Sequence, residues 1–201
     1  MKKKQLNNRQ EQILLALKKF DFLTRDQLSR YFRLGKVRNT NRVLEDLSCY
    51  LMNIREGYQS IYYLSKEGRD YVGCDKIRKK GGHVHHTVLR NETWLFYGCP
   101  PDWKSEIKVS DGKTIVIVDA MFMKMLQYHF LEVDRMQPMK ENRIKIERYK
   151  ALMENGLIAQ KLGHFPTLVW VTTTELRRKQ LQDACKTLPS VKVYTLADIQ
   201  Y

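Results

Sequence analysis

The stretch HFLEVDR, residues 129–135, sets Glu132 and Asp134 two apart among apolar and aromatic neighbours. Alternation of this kind predicts a β-strand, and strand residues two apart share a face. The two carboxylates then project together, with Leu131 and Val133 on the other face. Side-by-side carboxylates repel unless a cation, a proton or a hydrogen-bonding partner lies between them. The chemistry that needs such a pair is metal-dependent nuclease action. The structural alternative is an ion pair, with Arg135 or Arg148 answering Asp134.

Other reactive residue types carry weaker signals. HVHH at 83–86 has no cysteine or acid at zinc-ligand spacing, so His86 is expected in the core or at a helix end. Tyr128-His129 has neither the spacing nor the number of histidines that a relaxase needs. The Met-rich run MFMKM, 121–125, suits gap-filling or a partner contact. Cys49, Cys74, Cys99 and Cys185 are far apart and form no CxxC pair, so buried free thiols are expected. No phosphate-cradling glycine loop is present, which excludes a P-loop ATPase.

The charge balance names the partner class. The chain has 201 residues and a net charge of +14, of which +10 falls in residues 1–82. Such an excess favours polyanions, with nucleic acid first. No apolar run is long enough to span a bilayer, so no membrane partner is expected. The basic start MKKKQLNNRQEQ lacks the apolar segment of a signal peptide, and a cytoplasmic setting is expected.

These side chains must be placed by two sets of elements. Residues 1–75 are expected to form a winged helix-turn-helix. A first helix spans about 5–19, with Leu6, Ile13, Leu14 and Leu17 on one side. Thr24 with Gln27 makes a capping box for a second helix that buries Leu28, Tyr31 and Phe32. A third helix carries Val43, Leu44, Leu47 and Leu51 on its apolar stripe. Its N-terminal end presents Lys36, Arg38, Asn39, Asn41 and Arg42, where Arg suits guanine and Asn suits adenine. A hairpin follows, with Arg55 and Gln59 placed to touch backbone or minor groove. KIRKKGG, 76–82, is the expected linker.

Residues 83–201 predict a helix, an antiparallel meander and then helix–strand–helix–strand. The fold class is therefore α+β, a winged helix followed by an α/β domain with a mixed central sheet. Ile144, Tyr149 and Leu152 are expected on one side of the helix after the meander. This arrangement resembles the PD-(D/E)xK nuclease fold. The resemblance implies Glu106, Asp119, Glu132 and Asp134 as catalytic candidates, with Asp119 and Glu132 as ligands of Mg or Mn. Pro101-Asp102 is a decoy, because no strand leads into it, and Val118 stands where the motif has Pro. Asp134 stands where the fold expects Lys, and Lys145 on the next helix is the remaining candidate for that role.

HHTVLRNE, WKSE, VDA, FLEVDR, RIKIERYKAL and LVWVTTTELRRKQL together resemble the replication-relaxation family of mobile elements. The resemblance covers nearly the whole chain. It implies a DNA-binding accessory protein of a plasmid, phage or integrative element, acting in replication, relaxation or transfer without catalysis. Double-stranded DNA is the expected partner, with a replication initiator or relaxase as protein partner and a homodimer as a further possibility. The rival readings are a Mg- or Mn-dependent nicking endonuclease and a winged-helix transcriptional regulator.

Overall fold

Asn7 starts the first helix by a reciprocal cap. Its side chain accepts the Gln10 amide, and the Gln10 side chain accepts the Asn7 amide, each at 3.0 Å. The helix it opens, α1 (Asn8–Phe20), buries Ile13, Leu14 and Leu17 as the periodicity requires. The computed structural model describes residues 5–200. By internal contacts the chain forms two compact units, Met1–Asn91 and Glu92–Tyr201.

In the first unit, Thr24 and Gln27 make the expected capping box at 3.0 Å in both directions and open α2 (Arg25–Phe32). The preceding residues form a two-residue strand, β1 (Leu23–Thr24), that the sequence did not announce. Tyr31 is 41% exposed, so Leu28 rather than Tyr31 anchors α2. Next comes α3 (Val37–Glu45), shorter than its apolar stripe suggested. Three-residue turns at Leu47, Ser48 and Tyr50 tighten the chain and deliver Leu51 into a strand. That strand, β2 (Leu51–Glu56), pairs with β3 (Gln59–Leu64), and the sheet order is β1-β3-β2. Ser65 caps α4 (Lys66–Val72).

Residues 76–82 lie inside this first unit. Arg78 reaches back 2.6 Å to Asp21, a buried carboxylate held at φ 67°. α5 (His83–Phe96) carries the division between the two units, and its Asn91 side chain bonds the carbonyls of Phe20 and Phe22 at 3.0 and 2.7 Å.

The second unit is built on five strands. β4 (Lys104–Ser110), β5 (Ile115–Lys124) and β6 (Gln127–Asp134) run antiparallel; β7 (Thr167–Thr172) and β8 (Val191–Thr195) continue the sheet in parallel. The order is sequential, β4-β5-β6-β7-β8, which is the mixed sheet expected. Asp111 stabilises the β4–β5 turn by accepting the amides of Lys113 and Thr114 at 2.9 and 2.7 Å. Between β6 and β7 lie α6 (Met139–Asn155) and α7 (Leu157–Leu162); α8 (Glu175–Ala184) joins β7 to β8, and α9 (Leu196–Ile199) follows. α7 was not expected, and the last strand stops at Thr195, where a cap to Asp198 turns the chain.

The α6 stripe is shifted from its expected position. Ile146, Tyr149 and Leu152 are buried with Phe130, Trp170 and Leu181, whereas Ile144 is 46% exposed. β7 is buried along its whole length. Among the cysteines, Cys185 alone is fully buried and Cys49 is exposed, so the expectation of buried thiols fails for most of them.

Candidate functional site

Two regions gather the candidate residues, one in each unit. In the first, α3 exposes Lys36, Arg38, Asn41 and Arg42. Thr40 turns the other way and is buried, bonding Ser29 of α2 at 3.0 Å, which fixes which face of α3 is presented. Asn39 is tied up locally. Its amide donates to the Leu34 carbonyl at 2.7 Å and its oxygen accepts from Arg42 at 3.0 Å, so it holds the helix start.

Arg55 and Gln59 are exposed on the β2–β3 hairpin, whose tip residue Tyr58 is 98% exposed. A groove of about 630 Å³ separates this hairpin from α3 and brings Asn41 and Arg55 onto one lining. Arg25, at the start of α2, spans it, donating to Asn41 Oδ1 at 3.4 Å and to the Tyr58 carbonyl at 3.5 Å. Sequence reasoning missed both Arg25 and Tyr58; the EGYQ turn marked the tip, but nothing marked Arg25. His85 meets Glu56 of this hairpin at 2.9 Å, and His86 is half-buried rather than a core residue.

In the second unit the register sets three acids in one row. Ser105 pairs with Ala120 and Ile107 with Val118, so Glu106 falls opposite Asp119. Ala120 pairs with Leu131, so one step further Asp119 falls opposite Glu132. The row is also where the sheet opens. Glu106 is exposed and takes φ 56°, and β5 parts from β6 beyond Ala120. The Val133 amide, left without a β5 carbonyl, donates to Asp119 Oδ2 at 2.7 Å.

Glu132 is buried at 2% exposure, and α6 covers it. Lys145 bonds one carboxylate oxygen and the Tyr149 hydroxyl bonds the other. These two residues sit four apart, one helical turn, so the same face of α6 delivers both. Burial pushes the Glu132 carboxyl up to about 8, and the neighbouring Asp119 charge adds to the rise; Lys145 and Tyr149 pull it down without cancelling it. The Tyr149 hydroxyl is itself pushed well up by burial and by Glu132.

Asp134 shares the strand but not the environment. It is fully buried and held by a bidentate Arg177, Nε to Oδ2 at 2.8 Å and Nη2 to Oδ1 at 2.5 Å. Asn142 donates to Oδ1 at 3.0 Å and Thr172 to Oδ2 at 3.2 Å. The expected partners Arg135 and Arg148 are therefore corrected to Arg177. An aspartate held in this way ties together β6, β7, α6 and α8. Lys145, the remaining lysine candidate, lies against Glu132.

The donor set fits a resident divalent ion poorly. Among the described residues no group of three or more His, Cys, Asp or Glu side chains could hold a metal. Both Glu132 oxygens and one Asp119 oxygen already have protein partners.

Comparison with known proteins bears on this geometry. The sequence model described as replication-relaxation matches residues 14–168. The chain belongs to the replication-relaxation family. No curated protein matches the sequence. Among solved structures, protein VC1899 from Vibrio cholerae is 15% identical with a TM-score of 0.37, covering 92% of this chain and 46% of that one. Can2 from Sulfobacillus thermosulfidooxidans, solved in complex with cyclic tetra-adenylate, is 9% identical with a TM-score of 0.36, covering 93% and 52%. The chain spans about half the length of these two proteins.

Proposed function

We propose that this family member is a duplex-DNA-binding accessory protein of mobile-element replication or relaxation, and that it acts without cutting DNA. On this reading the first unit is a winged helix-turn-helix. α3 enters the major groove with Lys36, Arg38, Asn41 and Arg42, and the β2–β3 hairpin reaches the adjacent backbone with Arg55 and Gln59. The observation that carries it is the cationic face of α3 and the hairpin, held together by Arg25. Asn39 then positions the helix rather than reading a base.

The test is salt-dependent binding to duplex DNA from the element's own origin region. Each lost phosphate contact lowers the slope of log K against log salt by about 1. Substituting Arg38 and Arg42 with Ala should weaken binding and flatten that slope. Unchanged affinity and slope would remove α3 from the interface.

A second reading is a metal-dependent nicking endonuclease, and one observation favours it: Lys145 meets Glu132 beside Asp119. The filled carboxylate oxygens weigh against it. Supercoiled plasmid incubated with Mg²⁺ or Mn²⁺ and stripped of protein separates the two readings. Nicked product that disappears in Glu132→Ala establishes the enzyme; intact plasmid with a retarded native band establishes the accessory protein.

A further inference from the structure

The opening of the sheet at the acidic row leaves part of β5 with one neighbour. Residues 115–118 pair with β4 on one side, and β6 pairs with β5 only from Ala120 onward. The backbone N–H and C=O groups of this stretch that point away from β4 have no strand to bond. They face an open groove of about 830 Å³, whose other wall is α6 with Glu141, Ile144, Lys145 and Arg148. A second depression of about 490 Å³ continues it, sharing Thr114, Ile144 and Arg148 and adding Lys140 and Arg143.

The groove has two further properties. Its walls expose aliphatic surface, with Ile115 at 46%, Ile117 at 58% and Ile144 at 46%. Its rim is basic: Lys113, Lys140, Arg143 and Arg148 outnumber Glu141 and Glu147, and the Lys145 charge is committed to Glu132. None of the residues lining it is aromatic.

We infer that this groove takes an extended acidic peptide segment of a partner protein, which adds as a strand to the free edge of β5. An unpaired strand edge beside a groove is the geometry of β-augmentation, in which main-chain bonds give affinity and alternate side chains give specificity. Apolar side chains on one face of the added strand cover Ile115 and Ile117, which point away from α6. Acidic side chains on the other face meet Lys140, Arg143 and Arg148 on α6, beside Ile144. Single-stranded nucleic acid is the less suitable occupant, because it needs aromatic platforms for its bases and leaves aliphatic surface uncovered. The proposal stands apart from DNA docking by α3, since it uses different residues in a different unit.

The experiment is selection of a displayed random-peptide library on the intact protein, with counter-selection on Ile117→Glu and, separately, Arg148→Glu. Thermal unfolding of both variants establishes that they are folded; Arg148 is exposed, so its replacement leaves the core untouched. The expected result is enrichment of peptides that alternate acidic and aliphatic residues, and at least about a tenfold loss of affinity with either variant. Backbone N-methylation at alternate positions of an enriched peptide should abolish binding in one register and spare it in the other. The inference is overturned if no peptide enriches, if N-methylation has no effect in either register, or if oligothymidylate binds with the same dependence on Ile117 and Arg148.

Discussion

Removing the cation from Asp134 tests whether this acid is structural. The perturbation is Arg177→Met, which keeps the aliphatic stem of the side chain and deletes the guanidinium. Asp134 has no solvent exposure, so its charge cannot be rehydrated without opening the fold. Stripping one partner from a buried ion pair costs about 3–5 kcal/mol. Asn142 and Thr172 remain and each is worth about 1 kcal/mol as a neutral donor, so the expected loss lies near the lower end, about 3 kcal/mol. Asp134→Asn should cost less, about 1–2 kcal/mol, because Arg177 is 19% exposed and can turn to water. The double variant should fall short of the sum by more than about 1 kcal/mol. Trp94, Trp103 and Trp170 all lie in the second unit, so tryptophan fluorescence in urea reads that unit selectively. With a slope of about 2 kcal/mol per molar, Arg177→Met should lower the midpoint by about 1.5 M. A midpoint shift below about 0.5 M, or a coupling near zero, would refute the structural role and reopen Asp134 as a functional acid.

Glu132 predicts a pH signature. Its carboxyl titrates at 4.5 in the unfolded chain and about 8 in the folded one, so unfolding between those values releases a proton. Stability conferred by the protonated form is complete below 4.5 and is lost as pH rises toward 8. Relative to Glu132→Gln, wild type should lose up to about 1.4 kcal/mol per pH unit in that window, read from urea midpoints. A difference that stays flat from pH 5 to 8 would contradict the burial argument. Lys145→Met should move the upper end of the window above 8, because it removes a charge that pulls the carboxyl down. Arg25→Ala should weaken duplex-DNA binding with little change in the salt slope if Arg25 acts by holding the hairpin to α3. Gly68→Ala should unfold the first unit, read by far-ultraviolet circular dichroism, because a Cβ there would lie 2.1 Å from the Tyr50 carbonyl oxygen.

Local signals in the chain determined most of the elements. The Thr24–Gln27 cap, the Asp-Gly turn at 111–112 and the alternation in HFLEVDR each rest on neighbours within a few residues, so their physics is written in order. The family resemblance likewise lay in motifs along the chain, and the match over residues 14–168 agrees with it. The partners of the acids were decided elsewhere. Glu132 and Asp134 are alike in type and adjacent on one strand face, yet Lys145 and Tyr149 claim one and Arg177 claims the other. Arg177 lies 43 residues beyond Asp134, and no periodicity connects them. Helix phase decided the rest: a small rotation of α6 from the expected stripe buries Ile146, exposes Ile144 and turns Lys145 toward the sheet. Sequence fixes which residues can carry charge, whereas the packing of α6 and α8 on β6 decides which charges meet. Only there does removal from water make the difference between a proton, a lysine and an arginine as the answer to a carboxylate.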